Sequence, residues 1–263
     1  LELFSNLSIL AVTLSRFAQD LYVWYTHEFG IIDLPDAFGA TSSIMPQKKN
    51  PILMETCRGS LSHVLGGLIS ALSTMKNTNY TNVIDVNSES FHFLIDSVLQ
   101  ASAALALLQA AVEHMIVRKE RAYGMASANF STATELADVM VREKGYSFRE
   151  AHNLVGLVVR RAMEQGLTAT QINSEFISRT TRDDTGTAVE LEDDYVRRAL
   201  DPKENVDMRR HVGGPAPTAV AEAIEHGRES VDQDRACVGR LRNQISSARN
   251  ALLHAVHGMM EGA

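Results

Sequence analysis

Cysteine, proline and aromatic residues are scarce in this sequence of 263 residues, and each scarcity excludes a class of protein. The two cysteines, Cys57 and Cys237, lie far apart and outside any CxxC pattern, so a disulfide framework is excluded and a reducing compartment is indicated. Six prolines and 6% aromatic residues are few for a sandwich or barrel of many short strands. No apolar run is long enough to span a bilayer and no signal peptide is present, so we expect a cytoplasmic protein without a membrane partner.

Positively charged residues are also fewer than negatively charged ones, 25 against 32. The formal net charge is −7, which gives no electrostatic reason to expect nucleic acid or a membrane surface as a partner. The HExxH, paired CxxC and phosphate-loop patterns are absent, so we expect neither a metal ion nor a cofactor. Frequent Ala, Leu, Met, Glu and Arg residues favour helices, and the predicted fold class is all-α.

Apolar residues at alternating steps of four and three predict three long helices. Their apolar stripes run from Leu3 to Trp24, from Leu53 to Met75 and from Leu94 to Met115. Long loops are predicted between them, at 31–50 and 77–87. Three long helices joined by loops predict an elongated bundle, and we expect the apolar stripes to be buried partly against other subunits.

Glycine and proline mark the expected ends of these helices. Gly30 is predicted to close the first helix in the left-handed conformation, and Asn50 to cap the second helix ahead of Pro51. Glycines within the second helix are expected to permit close approach of a neighbouring helix. They are Gly59, Gly66 and Gly67.

The predicted domains are a central helical bundle at 1–120, a small helical domain at 121–215 and a long final helix at 216–263. Within the small domain, the charged stretch 179–196 is predicted to be a mobile surface segment. The first residues are already in helical register without an initiating Met. We therefore expect an upstream part of the bundle to be missing, and the 263 residues alone to be inactive.

The segment 40–51 has the side chains most suited to chemistry. It contains two adjacent serines, two lysines and an asparagine directly before a predicted helix N-terminus. Exposed backbone N–H groups and the helix dipole favour an anion there, which suits a small molecule with carboxylates. A serine in such a field could act as a base only if its alkoxide were stabilised. The alternative, a solvated loop before a capped helix, is slightly favoured by these physical arguments alone.

The same segment resembles a known family. Residues 42–51, Ser-Ser-Ile-Met-Pro-Gln-Lys-Lys-Asn-Pro, are similar to the signature loop of the fumarase/aspartase superfamily, in the form found in argininosuccinate lyases. Further similarity covers nearly the whole chain, at 14–21, 28–30, 130–138, 148–152 and 213–217. The resemblance implies a long helical bundle with a small C-terminal helical domain. It also implies a homotetramer in which each active site is assembled from three subunits.

The resemblance also implies a reaction, the elimination of an amine from an N-substituted aspartate to release fumarate. For an argininosuccinate-type substrate this is a step of arginine biosynthesis. One alternative is a lyase for another N-substituted aspartate, such as ethylenediaminedisuccinate. A second alternative is a non-catalytic helical oligomer of the crystallin type.

By this resemblance, Ser42 is the base that removes the Cβ proton. Lys48 and Asn50 hold the substrate carboxylate and the aci-carboxylate intermediate, and Glu55 orients a histidine from a neighbouring subunit. Ser43 and Met45, in the same loop, are predicted to contact the substrate. The dicarboxylate substrate is thus expected to be held without a metal ion.

The chain departs from the family pattern in places. Thr41 stands where glycine is usual, and Ile52 stands where aspartate is usual. Asn82, Asn87 and Ser90 fall where argininosuccinate lyases usually have a Tyr, a Gln and a Lys that contact the substrate. Because such a lysine pairs with a carboxylate, its loss predicts a change in the amine half that is accepted. Arg16, on the polar side of the first helix, is a candidate substrate contact or an intersubunit salt bridge.

Overall fold

The computed structural model describes residues 1–41, 45 and 49–261, and it confirms the all-α class. The helices in this part of the chain are α1 (Glu2–Tyr25), α2 (Ile52–Met75), α3 (Ile84–Asn87), α4 (Leu94–His114), α5 (Lys119–Ala128), α6 (Ala133–Lys144), α7 (Phe148–Glu164), α8 (Ser174–Thr185), α9 (Asp193–Leu200), α10 (Pro202–Met208) and α11 (Pro217–Glu261). Short 3-10 turns lie at Asp36–Phe38, Glu89–Phe91 and Ala169–Gln171. The strands are β1 (Ile32–Asp33), β2 (Ala40–Thr41), β3 (Lys49–Asn50) and β4 (Ile116–Val117).

The chain folds into two compact units, Leu1–Gly124 and Met125–Ala263. The predicted division into three parts, at 1–120, 121–215 and 216–263, stays a prediction. In the first unit, α1, α2 and α4 pack against one another as the predicted bundle. β1 pairs with β4, and β2 pairs with β3, each as an antiparallel ladder of two residues per strand. Sequence patterns predicted only loops at these places, because strands of two residues have no periodicity to detect.

The bundle core consists mainly of small residues on α1 and α4. On α1 the buried positions include Ala11 and Ala18, whereas Trp24 is 42% exposed. On α4 the buried positions include Ala101 and Ala104, whereas Leu105 is 50% exposed. Within one chain, many large residues of the predicted α1 and α4 stripes are therefore exposed, and the expected burial of these stripes against other subunits stays a prediction. Small side chains let the helices approach closely, and the larger apolar residues cover outer faces of the bundle.

Helix α2 follows its predicted stripe in its first half only. Leu53, Cys57 and Leu61 are buried, whereas Leu65 and Leu72 are exposed. The expectation of close helix approach is confirmed at Gly67. A Cβ built there would collide with the Ser97 hydroxyl of α4 and lie 3.0 Å from the Phe4 ring of α1. At Gly59 and Gly66, which face away from the core, a Cβ meets nothing within 4 Å.

One stretch is more apolar than the sequence analysis allowed. Among the described residues, Ile84–His114 has the length and the composition of a membrane-crossing helix, with a mean hydropathy of 1.6 over its best window. The expectation that no apolar run is long enough to span a bilayer is therefore wrong on those two criteria. Core helices of bundles pass the same test, and α4 packs on α2 through buried residues such as Ala101 and Leu108.

Two predicted helix ends differ from the structure in detail. Gly30 is left-handed, with φ of 56°, and its N–H donates to the Thr26 carbonyl at 2.7 Å, but the regular helix α1 ends earlier, at Tyr25. Asn50 does not cap α2, because Asn50 belongs to β3 and Pro51 is the residue before the helix. The backbone of Asn50 pairs with Ala40 instead of turning directly into the helix.

The second unit has its own core, formed by α6, α7, α8 and α9. Ser147 and Glu150 form a capping box at the start of α7. The prediction of a mobile segment at 179–196 is wrong, since α8 continues to Thr185, and Val189 and Leu191 are buried. These two apolar residues hold the charged stretch against the core. The long final helix is confirmed as α11.

Thr181, on α8, binds the segment that follows this helix. Its buried hydroxyl donates to the Ile177 carbonyl at 2.9 Å and accepts the Val189 N–H at 2.8 Å. Substitution of Thr181 by valine keeps the shape but leaves a buried N–H without an acceptor. We expect the free energy of unfolding to fall by about 1–3 kcal/mol. Urea unfolding measures it, with the exposed Thr187→Val as the control, expected within about 0.5 kcal/mol of wild type. Equal stability of the two variants would contradict this role.

Candidate active site

The loop of interest begins and ends at one short ladder. Ala40 pairs with Asn50 and Thr41 pairs with Lys49, so the two ends of the loop lie side by side directly before α2. Ser42, Ser43 and Lys48 lie outside the described residues. We call the segment formed by β2, β3 and the 3-10 turn at Asp36–Phe38 the loop foot. It places Thr41 and Lys49, which flank most of the predicted catalytic segment, beside the N-terminus of α2.

The N-terminus of α2 provides an anion-binding end. Its first intrahelical bond joins the Glu55 N–H to the Pro51 carbonyl at 3.2 Å, and Pro51, the residue before the helix, provides no side-chain cap. The N–H groups of Ile52, Leu53 and Met54 precede that bond, as do the first N–H groups of any α-helix. These groups and the helix dipole attract negative charge. Glu55 lies in this first turn and is exposed.

Ion pairs fix the surroundings of the loop foot. The Lys49 Nζ lies 2.6 Å from an Asp36 carboxylate oxygen, and this hydrogen bond raises the pKa of Lys49. Arg118, just after β4, donates to the Asp33 carboxylate at 2.5 Å. Burial alone would raise the pKa of Asp33, but the hydrogen bonds from Arg118 and from the Leu34 N–H outweigh it and hold the pKa low.

An open cavity of about 670 Å³ lies beside the loop foot, and we call it the foot cavity. Its lining includes Tyr25, Asp33, Met45, Lys49, Asn50, Arg118 and Arg121. Arg121 is partly committed to structure, because it donates to the carbonyls of Phe29, Glu28 and His27 beyond the end of α1. The lining is rich in donors and cations, which suits a ligand with carboxylates.

The structure brings together two of the predicted substrate contacts. Met45 and Asn50 both line the foot cavity. Arg16 is exposed on α1 and lines a separate groove between α1 and α2, beside Gln19 and Arg58.

Asn82 and Asn87 lie beyond the other end of α2. The Asn87 amide donates to the Asn82 side-chain oxygen at 2.6 Å, and the buried Ser90 hydroxyl donates to the Val86 carbonyl. Helix α2 has 24 residues, which corresponds to about 36 Å. Within one chain, this pair is therefore too far from Asn50 for both to contact one small ligand.

Sequence reasoning missed Tyr25, Asp33, Arg118 and Arg121 as neighbours of the loop. Their proximity depends on the pairing of β1 with β4, which joins residues more than eighty positions apart. No local sequence motif predicts such a pairing. Metal-ion binding receives no support from the described part of the chain, where no group of three or more His, Cys, Asp or Glu side chains could hold an ion.

Comparison with known proteins assigns the family. The chain matches the family described as Lyase over residues 1–66 and the one described as Argininosuccinate lyase C-terminal over residues 130–207. It is 43% identical over 232 residues to argininosuccinate lyase of Methanothermobacter thermautotrophicus, which covers 88% of this chain and 49% of the relative. The chain belongs to the argininosuccinate lyase family. To argininosuccinate lyase 1 of Shouchella clausii it is 35% identical over 263 residues, 100% of this chain and 53% of the relative. It thus spans about half the length of these members of the argininosuccinate lyase family.

Solved structures agree with this assignment. A variant of EDDS lyase with bound fumarate has a TM-score of 0.86 and 32% identity, covering 95% of this chain and 50% of that one. The 3-carboxy-cis,cis-muconate lactonizing enzyme of Pseudomonas putida, at 23% identity and a TM-score of 0.62, covers 87% of this chain and 48% of that one. The second likeness concerns the fold alone. Together they confirm the helical bundle of the fumarase/aspartase superfamily.

Proposed function

We propose that the protein is a carbon–nitrogen lyase that eliminates the amine from an argininosuccinate-type substrate and releases fumarate. The observation that supports this most strongly is the β2–β3 ladder. It places Thr41 and Lys49, the residues that flank segment 42–48, beside the N-terminus of α2, in a chain 43% identical to an argininosuccinate lyase. Such an activity belongs to arginine biosynthesis.

The proposed chemistry depends on stabilising an anion. A proton next to a carboxylate is only weakly acidic, so the enzyme must bind the dianionic intermediate more tightly than the substrate. Ser42 is the proposed base. Lys48, Asn50 and the N–H groups of α2 are the proposed partners of the aci-carboxylate, with Ser43 and Met45 beside them. If these donors act like one oxyanion-hole donor, they lower the barrier by about 3–4 kcal/mol.

The remaining proposed site residues support a site shared between subunits. Arg16, the loop foot and the Asn82–Asn87 pair occupy three separate places on one chain, although all three are candidates for one substrate. Copies of the chain packed side by side can bring different places together. The exposed apolar faces of α1 and α4 are suited to such packing. We therefore propose a homotetramer, with Glu55 orienting a histidine of a neighbouring subunit. We also propose a cytoplasmic enzyme without nucleic-acid or membrane partners.

The identity of the released amine is the point on which the supporting observations disagree. Relatives named argininosuccinate lyase, at up to 43% identity, favour arginine as the released amine. Asn82, Asn87 and the likeness to EDDS lyase favour a different N-substituted aspartate. We give preference to arginine, because the relatives of higher identity have that name.

A panel of amines tests this choice in the direction of addition to fumarate. We expect arginine to consume fumarate, followed by its ultraviolet absorbance, faster than ethylenediamine, aspartate or ammonia do. The reverse assay adds argininosuccinate and measures the rise in fumarate absorbance. A stronger preference for a diamine would transfer the proposal to the second substrate class, and no consumption with any amine by the full-length protein would contradict a lyase activity.

A further inference from the structure

Tyr25 is a buried side chain that the proposed mechanism does not use. It lies in the last turn of α1, lines the foot cavity and is 9% exposed. Its hydroxyl is enclosed and has no hydrogen-bond partner among the residues that the structure describes. A buried hydroxyl without a partner costs about 1–3 kcal/mol. Buried polar groups without a partner are uncommon in folded proteins, so each one calls for an explanation.

The hydroxyl lies directly at the loop foot. A Cβ built on Gly39 would lie 3.6 Å from the Tyr25 hydroxyl and 3.9 Å from the carbonyl oxygen of Asn50. The two oxygens are therefore at most about 7.5 Å apart. Because Gly39 has no Cβ, nothing on that residue prevents the phenol and the strand from moving closer.

Asn50 offers the more suitable acceptor at this place. The Asp36 carbonyl, also near Gly39, already accepts the Gly39 N–H at 3.2 Å. The Asn50 carbonyl belongs to the residue whose side chain is the proposed carboxylate ligand. A carbonyl has two lone pairs, so either of these carbonyls can accept a second donor, but only the Asn50 carbonyl connects Tyr25 to a proposed ligand residue.

The surroundings keep the phenol protonated, as a donor. Burial raises the pKa of Tyr25, the Asp33 carboxylate raises it further, and Lys49 only partly opposes them. The charged groups that face Tyr25 from the packed elements are Asp33, Lys49, Asp36 and Arg118. Tyr25 is thus unsuited to act as a base but suited to donate to a carbonyl.

We propose that Tyr25 is a positioning residue for Asn50: its hydroxyl donates to the Asn50 carbonyl when the Asn50 side chain binds a carboxylate of the substrate. This inference rests on the proposed function. Because this hydrogen bond forms only when ligand is present, ligand binding removes the free-energy cost of the unpartnered hydroxyl. Ligand binding and the position of β3 are therefore coupled. It fixes the amide of Asn50 toward the ligand without Tyr25 touching the ligand.

The test uses Tyr25→Phe in the purified protein, with fumarate as the probe. Two effects of opposite sign are expected. The midpoint of thermal unfolding without ligand stays the same or rises, because an unpartnered hydroxyl is removed. The dissociation constant for fumarate, measured by calorimetry, rises about twofold to tenfold, because a net hydrogen bond of the bound state is lost.

Two further variants separate positioning from a merely structural role. In an Asn50→Ala background, Tyr25→Phe is expected to add no further loss of fumarate affinity, because the coupled side chain is absent. Tyr146→Phe removes a partly buried phenol in the second unit and is expected to leave fumarate affinity unchanged.

The failure of this inference differs from the failure of the proposed function. A lower unfolding midpoint of ligand-free Tyr25→Phe, an unchanged fumarate affinity, or a further loss in the Asn50→Ala background would overturn the positioning role. If the wild-type protein neither binds fumarate nor turns over any substrate, the proposed function itself falls and the inference falls with it.

Discussion

Replacement of Ser42 by alanine is expected to lower kcat for fumarate release by about 100-fold to 10,000-fold, the usual contribution of a positioned general base. The hydroxyl is the proposed acceptor of the Cβ proton. Ser43 is the only other residue of segment 42–50 with a side-chain hydroxyl. Initial rates of fumarate release, measured by absorbance, give the ratio. KM is expected to change less than kcat, because alanine removes little substrate contact.

Ser60→Ala is the matched control for this experiment. Ser60 lies on α2 beyond its first turn, outside the proposed site, and the control is expected to retain wild-type rates. Circular dichroism of both variants shows whether the helices are retained. If Ser42→Ala keeps the wild-type rate, Ser42 is not the base. If wild type and both variants are inactive with every amine of the panel, the alternative of a non-catalytic oligomer of the crystallin type gains support.

Replacement of Gly67 by alanine is expected to destabilise the bundle by about 1–3 kcal/mol, the usual cost of overpacking a core. The new methyl group would collide with the Ser97 hydroxyl on α4 and would crowd the Phe4 ring on α1. Both neighbours are buried, and both belong to helices that pack on α2, so neither can move freely. Gly67 lies where α1 and α4 both approach α2 closely, and its lack of a Cβ permits that approach.

Gly66→Ala, at the neighbouring position, is expected to stabilise the protein instead. A Cβ at Gly66 meets nothing within 4 Å, so alanine gains about 1 kcal/mol of helix propensity without a clash. Thermal unfolding of the two variants measures the difference. Each kcal/mol corresponds to about 2–4 °C in Tm for a chain of this size. A rise in Tm for Gly67→Ala similar to that for Gly66→Ala would contradict the packing described for α1, α2 and α4.

The sequence predicted the helices better than their buried faces. Steps of four and three located α1, α2 and α4, since that spacing repeats over about six turns in each helix. The same spacing did not show how many small residues lie on the core side of α1 and α4. In the structure Ala18 and Ala104 face the neighbouring helices, while Trp24 and Leu105 are exposed. Hydrophobicity alone favours large residues for a core, whereas close helix packing favours small ones, and one sequence does not distinguish the two.

The site shows a similar limit. Segment 42–51 is contiguous, so its lysines, serines and asparagine could be found by inspection. Arg118 could not, because it reaches Asp33 only through the β1–β4 ladder, whose two-residue strands have no pattern. The charged stretch near Thr181 was misjudged because the two buried residues Val189 and Leu191 outweigh its many charges.

The central claim is that segment 42–50 binds the carboxylate of a succinyl compound at the N-terminus of α2. A crystal structure of the protein with bound succinate tests it most directly. The account predicts one carboxylate within hydrogen-bond distance of the Asn50 amide and of backbone N–H groups in the first turn of α2, with the Ser42 hydroxyl facing a methylene carbon. Succinate bound elsewhere, with the loop foot and the N-terminus of α2 unoccupied, would contradict it.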